Sequence, residues 1–268
     1  MKNDIREKTV KNFDDQWKIH RHGTLTTDYQ GSESMLKDYF GDFFNLNSVK
    51  GSIIAEVGCG PGRFVNTFMK HNPKKMYAID PSARACDHVK KNFPFTNLSV
   101  INSYGHNFKT DELCDFIFSL GVIHHIKDPD DVFINIRNHL KNNGKFIIWV
   151  YGYENNQLYY SVYRFLSFFT KKMPDFLLNF LSFLLNLILV PYIFLCKYLN
   201  LPLKNYFIKV FSLCSMKTRK EIIFDQLNPT YAKYYRKQEI EKELIKGGFI
   251  NLKFYHRHGY SWTVIAEK

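Results

Sequence analysis

The sequence predicts an α/β protein built on a doubly wound, mostly parallel sheet, preceded by a helical lead-in and interrupted by a hydrophobic helical insertion. Three observations carry this. Short apolar runs alternate with helix-period segments from residue 53 to residue 150. A glycine-rich turn directly follows the first run, Gly51-Ser-Ile-Ile-Ala-Glu-Val57. A long uncharged segment then breaks the alternation before two strand-like runs close the chain.

Residues 1–48 are polar, with scattered anchors at Trp17, Tyr29, Met35, Leu36, Tyr39 and Phe40, and the spacing of 34–40 predicts a helix. This lead-in is expected to lie across the edge of the sheet. Strands are predicted at 53–57, 76–79, 98–101, 116–119 and 145–150, and helices at 63–71, 83–92 and 131–140. Residues 80–82, 128–130 and 142–144 supply the turns or caps between them. Near the end, 237–246 reads as an amphipathic helix closed by Gly247 and Gly248, followed by strands at 249–256 and 262–266. The main domain is therefore expected at 49–156 plus 226–268, with 157–225 inserted between strands five and six.

A chain of 268 residues with 45% hydrophobic content can bury a sizeable core, which excludes disorder as the default. The five cysteines, Cys59, Cys86, Cys114, Cys196 and Cys214, are scattered and odd in number. This argues against a disulfide framework or a zinc site, and no metal is expected. The first residues mix charges of both signs with no apolar stretch behind them, so the cytoplasm, or the inner face of its membrane, is the expected location. A formal charge of +12 suits nucleic acid, an anionic membrane or an acidic substrate. Because the longest basic runs are pairs, a solvated surface is expected and no nucleic-acid partner; the oligomeric state stays open.

The turn after the first strand, Ala55-Glu-Val-Gly-Cys-Gly-Pro-Gly62, lets a ligand lie against bare backbone. It lacks the Gly-Lys-Ser/Thr of a phosphate-binding P-loop and the spacing of a dinucleotide loop. Asp80 closes the second strand eighteen residues beyond Gly62, where a carboxylate can accept from both ribose hydroxyls. Capping the helix after Pro81 is the other role open to it. Glu56 would repel a pyrophosphate but suits a ligand carrying an ammonium and a sulfonium, which points away from NAD and ATP.

These motifs resemble the class I S-adenosylmethionine-dependent methyltransferases, over roughly residues 50–155 and the last thirty or so. Residues 55–62 look like that family's first motif, Ala78-Ile-Asp-Pro81 like its second-strand acid, and 114–126 like its fourth strand and following turn. Lys141-Asn-Asn-Gly-Lys145 resembles its turn before strand five. The resemblance implies a seven-stranded sheet with an antiparallel last strand, and S-adenosylmethionine as cofactor. It implies cofactor contacts at Glu56, Gly58, Cys59, Gly60, Gly62, Asp80, Pro81, Asn102, Ser103, Ser119 and Leu120. Gly58 and Gly60 would pass under the methionine part, Asp80 would hold the ribose, and Asn102 with Ser103 would flank the adenine. Asn102 departs from the aspartate often found there, although an amide oxygen can still accept from the adenine amino group.

His124 and His125 follow the fourth strand, where the transferred methyl points in such a fold. Related lipid cyclopropane synthases and quinone O-methyltransferases carry a Glu-His pair here, so His124 replaces the acid and is the first choice as base. Shaping the turn is the alternative. Tyr151, Tyr153 and Glu154 lie at the same mouth of the sheet and are substrate-contact candidates, with loop packing as their alternative. Asn228-Pro-Thr-Tyr231 invites comparison with the amino-methylation signature of nucleic-acid enzymes, but that signature belongs directly after strand four, where this chain has Leu120-Gly-Val-Ile-His124.

Residues 176–196 carry no charge and are long enough to span a bilayer. A single crossing would strand the last two strands on the wrong side. Asp175, Asn179, Ser182 and Asn186 recur at helical intervals as a narrow wet stripe, and Pro191 should kink or end the helix. The segment is expected to lie in a membrane interface, to re-enter as a hairpin, or to cap the site together with 158–169 and 206–213. Lys171, Lys172, Lys197 and Lys204 flank it, each worth roughly 1 kcal/mol near anionic headgroups. Peripheral membrane contact through 157–213 and a bulky, partly hydrophobic acceptor follow.

The stretches "DQWKIH", "IHHIKDP", "WVYGYEN" and "FDQLNPTY" look like those of bacterial methyltransferases of polysaccharide and secondary-metabolite pathways. The expected function is methyl transfer to a small or lipid-linked acceptor, at an oxygen of a glycan or secondary metabolite. A prenylated quinone or phenol is the alternative acceptor. A non-enzyme that keeps the cofactor fold at a membrane or on RNA is the alternative class.

Overall fold

The computed structural model describes residues 2–19, 29–170, 173–228 and 231–268. Lys171 and Lys172, and Pro229 and Thr230 of the rejected signature, lie outside the described residues. Seven strands, β1 (Ile53–Val57), β2 (Lys75–Asp80), β3 (Leu98–Asn102), β4 (Cys114–Leu120), β5 (Leu140–Tyr151), β6 (Ile250–Arg257) and β7 (Ser261–Glu267), form one sheet. Its order is β3-β2-β1-β4-β5-β7-β6. The pairs among β1 to β5 are parallel, and β7 runs antiparallel to both β5 and β6. The strand order therefore reverses between β1 and β4, which opens a crevice at their carboxyl ends.

Every residue of β1 is buried, as expected of a central parallel strand covered on both faces. Ile53, Ala55 and Val57 enter one core and Ile54 the other, following the two-residue period of a strand. Helices α5 (Asp130–Asn138) and α10 (Lys237–Lys246) cover the first face through Phe133, Ile136, Ile240 and Leu244. The second face is covered by α2 (Glu33–Phe40) and α3 (Val65–Lys70), through Leu36, Phe40, Val65 and Phe68. Truncating Ile54 to alanine would cost about 2–5 kcal/mol, because packed neighbours close such a gap only in part.

The turn expected at 142–144 is not a separate connection. β5 starts at Leu140, opposite Cys114, and its pairing then jumps to Lys145 opposite Phe116, so 141–144 form a bulge with Asn143 at φ 61°. Ahead of the sheet lie α1 (Lys2–Ile19) and α2, the latter capped by Ser32, whose Oγ accepts from Met35 N at 3.1 Å.

The insertion folds as α6 (Gln157–Thr170), α7 (Asp175–Tyr198), α8 (Lys204–Lys209) and α9 (Met216–Leu227). α7 continues through Pro191 rather than ending there. The wet stripe divides: Asp175 is exposed and Asn179 half-buried, whereas Ser182 and Asn186 are turned inward. Leu178, Ser182 and Asn186 are buried, and Leu178 packs with Phe224 and Leu227 of α9. Asn186 Nδ2 donates to Met216 O at 2.7 Å, and Ser182 Oγ to Leu178 O at 2.7 Å. Carbonyl groups accept from these two donors inside the cap, while Asn186 Oδ1 meets no donor among the described residues, and the apolar side of α7 faces outward.

Candidate active site

The crevice beyond β1 and β4 deepens into a cavity of about 330 Å³ between the sheet, α1 and the helical cap. Its floor is the glycine turn. Gly58 has φ 80°, and a Cβ there would sit 2.4 Å from Val122 Cγ2, so glycine is required both by the backbone and by the space above it. Gly58 N and Cys59 N donate to Ile79 O at 2.7 and 3.1 Å, tying the turn to the end of β2.

Asp80 braces the same turn from the side. Its Oδ2 accepts from Gly60 N at 2.8 Å and its Oδ1 from Ser82 N at 2.9 Å. Capping of α4 (Ala83–Asn92) falls to Ser82 instead, whose Oγ accepts from Ala85 N at 3.1 Å. Burial outweighs the two amide bonds and lifts the Asp80 carboxyl to about 6. Glu56 is 2% exposed, and its Oε2 meets no hydrogen-bond donor among the described residues. Burial lifts it to about 8; the Arg63 charge pulls the other way and Asp80 adds to the rise.

The residues present fit S-adenosylmethionine. An orphaned carboxylate oxygen at the cavity wall is suited to an ammonium, and the turn at Gly58, Cys59 and Gly60 lines the cavity beside it. Asp80 keeps lone pairs for two hydroxyls beyond those its amide partners use.

Helix α1 closes over this floor. Arg6, Val10, Phe13 and Trp17 recur at helical spacing on one face and all line the cavity. Trp17 Cζ2 lies 3.4 Å from where a Cβ on Gly60 would stand. Arg6 forks onto Asp131 at 2.9 and 2.7 Å, and Asp14 accepts from Ser82 Oγ at 2.6 Å while pairing with Arg84 at 2.9 Å. Sequence reasoning took Trp17 only as a loose anchor; the period 6, 10, 13, 17 was the available signal.

Opposite the floor the walls are aromatic. Tyr39 stacks on Trp149 with centroids 4.6 Å apart, and Tyr151, Tyr234, Tyr206 and Phe207 continue the surface into the cap. One charge cluster stands among them. Arg257 of β6 is 1% exposed, donates from Nε to Asp38 Oδ2 at 2.9 Å, and lies 4.5 Å over the Tyr39 ring. His258 Nε2 and the Tyr29 hydroxyl also reach Asp38, at 2.6 and 2.8 Å. Burial alone would raise Asp38, but the bonds from His258 and Tyr29 and the Arg257 charge bring it down to about 2. No motif in the sequence marked this cluster.

The predicted site residues divide between the cavity wall and positions behind it. Glu56, Gly58, Cys59, Gly60, Asp80, Pro81, Ser103, Leu120, His125 and Tyr151 line the cavity. Gly62 stands behind the turn against Phe93, Ser119 Oγ is spent on Val57 O at 3.0 Å, and Asn102 Nδ2 on Asp80 O at 3.0 Å. Tyr153 and Glu154 belong to loop packing instead: Arg236 covers the Tyr153 ring at 4.8 Å, and Glu154 accepts from Lys237 N and Trp262 Nε1 at 2.8 and 2.9 Å.

The histidines exchange places. His124, the first choice from sequence, is fully buried behind the wall, stacked on Tyr151 at 3.8 Å, with neither ring nitrogen hydrogen-bonded among the described residues. Burial, with His125 adjacent, pushes it well below the usual histidine range. His125 is on the wall, and its Nδ1 faces Tyr231 O at 2.8 Å. A carbonyl can only accept, so the proton sits on Nδ1 and Nε2 keeps its lone pair. Burial lowers His125 to about 4, leaving it neutral at pH 7.

The sheet order is that of solved methyltransferase structures. Residues 55–148 match the family model described as "Methyltransferase domain". Similar solved structures include human N-acetylserotonin methyltransferase in complex with SAM (TM-score 0.51, 13% identity, 97% of this chain and 54% of that one). A SAM-dependent methyltransferase of Thermotoga maritima gives TM-score 0.51 at 15% identity and covers 98% of both chains. Residues 55–148 are thus similar to a methyltransferase domain, and the chain has the fold of S-adenosylmethionine-dependent methyltransferases.

Among curated proteins it resembles the tRNA U34 carboxymethyltransferase of Helicobacter acinonychis, 31% identical over 114 residues, 39% of this chain and 42% of that protein. It also resembles that of Aliarcobacter butzleri, 26% identical over 133 residues, 46% and 41% of the two chains. The chain spans less than half the length of these relatives. Their names overturn the expectation that nucleic acid has no part, since basic runs as short as pairs do not exclude an RNA partner.

Proposed function

We propose that this protein is an S-adenosylmethionine-dependent methyltransferase whose acceptor is a small or lipid-linked molecule, methylated at oxygen. The observation that carries the reading is the cavity itself, with the glycine turn, Glu56 and Asp80 on one wall and aromatic side chains beneath an apolar cap on the other. When bound, the cofactor supplies an electrophilic methyl group on a sulfonium. Glu56 meets its ammonium, Asp80 its ribose, and α1 with Trp17 shields the floor from water. On the acceptor side, Tyr39, Trp149 and Tyr151 hold an apolar or planar group in line with the floor. His125 Nε2 would receive the acceptor's hydroxyl proton as its oxygen takes the methyl group, the methyl–sulfur bond breaking and the sulfonium leaving as a neutral thioether.

A tRNA base is the second reading. It is favoured by the names of the curated relatives and by aromatic walls on which a base can stack. The family match ends at residue 148, before the cap that forms the acceptor wall, so the matched stretch leaves the acceptor open.

Labelled S-adenosylmethionine should be incubated with the protein and, in parallel, with lipid extracts, small phenols and glycans, and tRNA. Label in the first three supports the leading reading; label in tRNA alone replaces it with the second. With the acceptor found, His125→Ala should lower kcat by about 10²–10⁴ while leaving cofactor affinity intact. An unchanged kcat removes His125 as the base.

A further inference from the structure

The outer side of the insertion presents an apolar face that the methyltransferase reading does not use. On α7, Phe176, Phe180, Phe183 and Leu187 recur at helical spacing and are 73, 62, 48 and 45% exposed. Phe165 and Phe168 of α6 are likewise exposed, at 66 and 73%. Soluble monomers seldom expose contiguous apolar patches beyond a few hundred Å², and larger ones mark an interaction site.

Charge narrows the partner. Between Asn155 and Lys220 the sequence holds nine lysines and arginines against a single acid, Asp175. Lys197, Lys209 and Lys217 are exposed on α7, α8 and α9. An apolar face carried by a strongly basic segment is complementary to anionic headgroups above acyl chains.

Packing fixes the orientation. The inner side of α7 is covered along its length: Leu178 and Asn186 meet α9, and Ile193 and Cys196 meet Phe207 of α8 and Phe211 just beyond it. Those neighbours carry Lys204, Lys209, Lys217 and Lys220. A crossing helix would drag these cations into hydrocarbon, and β6 and β7 must also rejoin the sheet on the side α7 left. α7 can therefore enter a bilayer only lying flat.

We propose that the α6–α7 face docks on an anionic lipid bilayer, with α7 in the plane of the interface and its exposed phenylalanines among the acyl chains. This goes beyond the proposed activity and stands or falls without it.

Flotation with phosphatidylcholine vesicles, with and without phosphatidylglycerol, tests it, using the wild type and two double variants, Phe180→Glu with Phe183→Glu and Lys197→Glu with Lys217→Glu. Calorimetric binding of S-adenosylhomocysteine, unchanged in both variants, checks that they fold. The wild type should float with the phosphatidylglycerol vesicles. The phenylalanine variant should partition at least about tenfold less, and the lysine variant should lose the preference for the anionic lipid. The proposal is overturned if the wild type stays in the aqueous fraction with both vesicles, or if the folded phenylalanine variant floats equally well. A discrete dimer that the phenylalanine variant dissociates would overturn it too, by assigning the face to a second copy of the chain.

Discussion

The cofactor wall at the ends of β1 and β2 works mainly through backbone. Amides of Gly58, Cys59, Gly60 and Ser82 fix its shape, and two carboxylates, Glu56 and Asp80, are its polar outlets. The acceptor wall beneath α8 and α9 works through side chains, an aromatic surface with one buried charge cluster around Arg257. A backbone cradle tolerates little change and serves one ligand, whereas an aromatic wall can be recut residue by residue.

The largest effect should come from the charge cluster that interrupts the aromatic wall. Asp38→Ala leaves Arg257 buried without its carboxylate, and a loss of about 3–5 kcal/mol is expected in denaturant unfolding. A loss below about 1 kcal/mol would mean that Arg257 finds water, and that this wall is wetter than its packing implies. Next, Asp80→Ala removes the brace on the cofactor turn and the carboxylate proposed for the ribose. S-adenosylmethionine affinity should fall by roughly 100-fold, on the scale of hydrogen bonds to a charged group. Full affinity in the variant would break the contrast between the walls.

The pH dependence sharpens the contrast. Glu56 holds its proton up to about 8 in the folded protein, well above an unfolded glutamate. The stability it contributes is present below the unfolded value and lost as pH rises through about 8, so the apo Tm should decline across that window. A bound ammonium favours the ionised form, so cofactor binding should release a proton and tighten by up to about tenfold per pH unit from 6 to 8. Calorimetry in buffers of different ionisation enthalpy reads the proton directly. Affinity flat in pH would remove Glu56 from the ammonium. The smallest effect belongs outside the cavity: Phe183→Ser on the exposed side of α7 should change unfolding stability by no more than about 0.5 kcal/mol, against several for a core phenylalanine.

The sequence by itself determined the parts written in local spacing. The five parallel strands, the turn that needs glycine at 58, the acids at 56 and 80, and the S-adenosylmethionine-dependent fold could all be read from it, because each depends on residues within a few positions of one another. Tertiary structure decided what distant segments bring together. Whether His124 or His125 faces the cavity turns on a single step of backbone after β4, which spacing cannot resolve. Asp38 and Arg257 are 219 residues apart, and only the packing of α2 beside β6 joins them. The polar stripe of α7 looked as though it should face water, but its second half turns inward, where Met216 O of α9 accepts from Asn186. That pairing sent the apolar side of α7 outward, because polar atoms must find partners wherever the fold provides them.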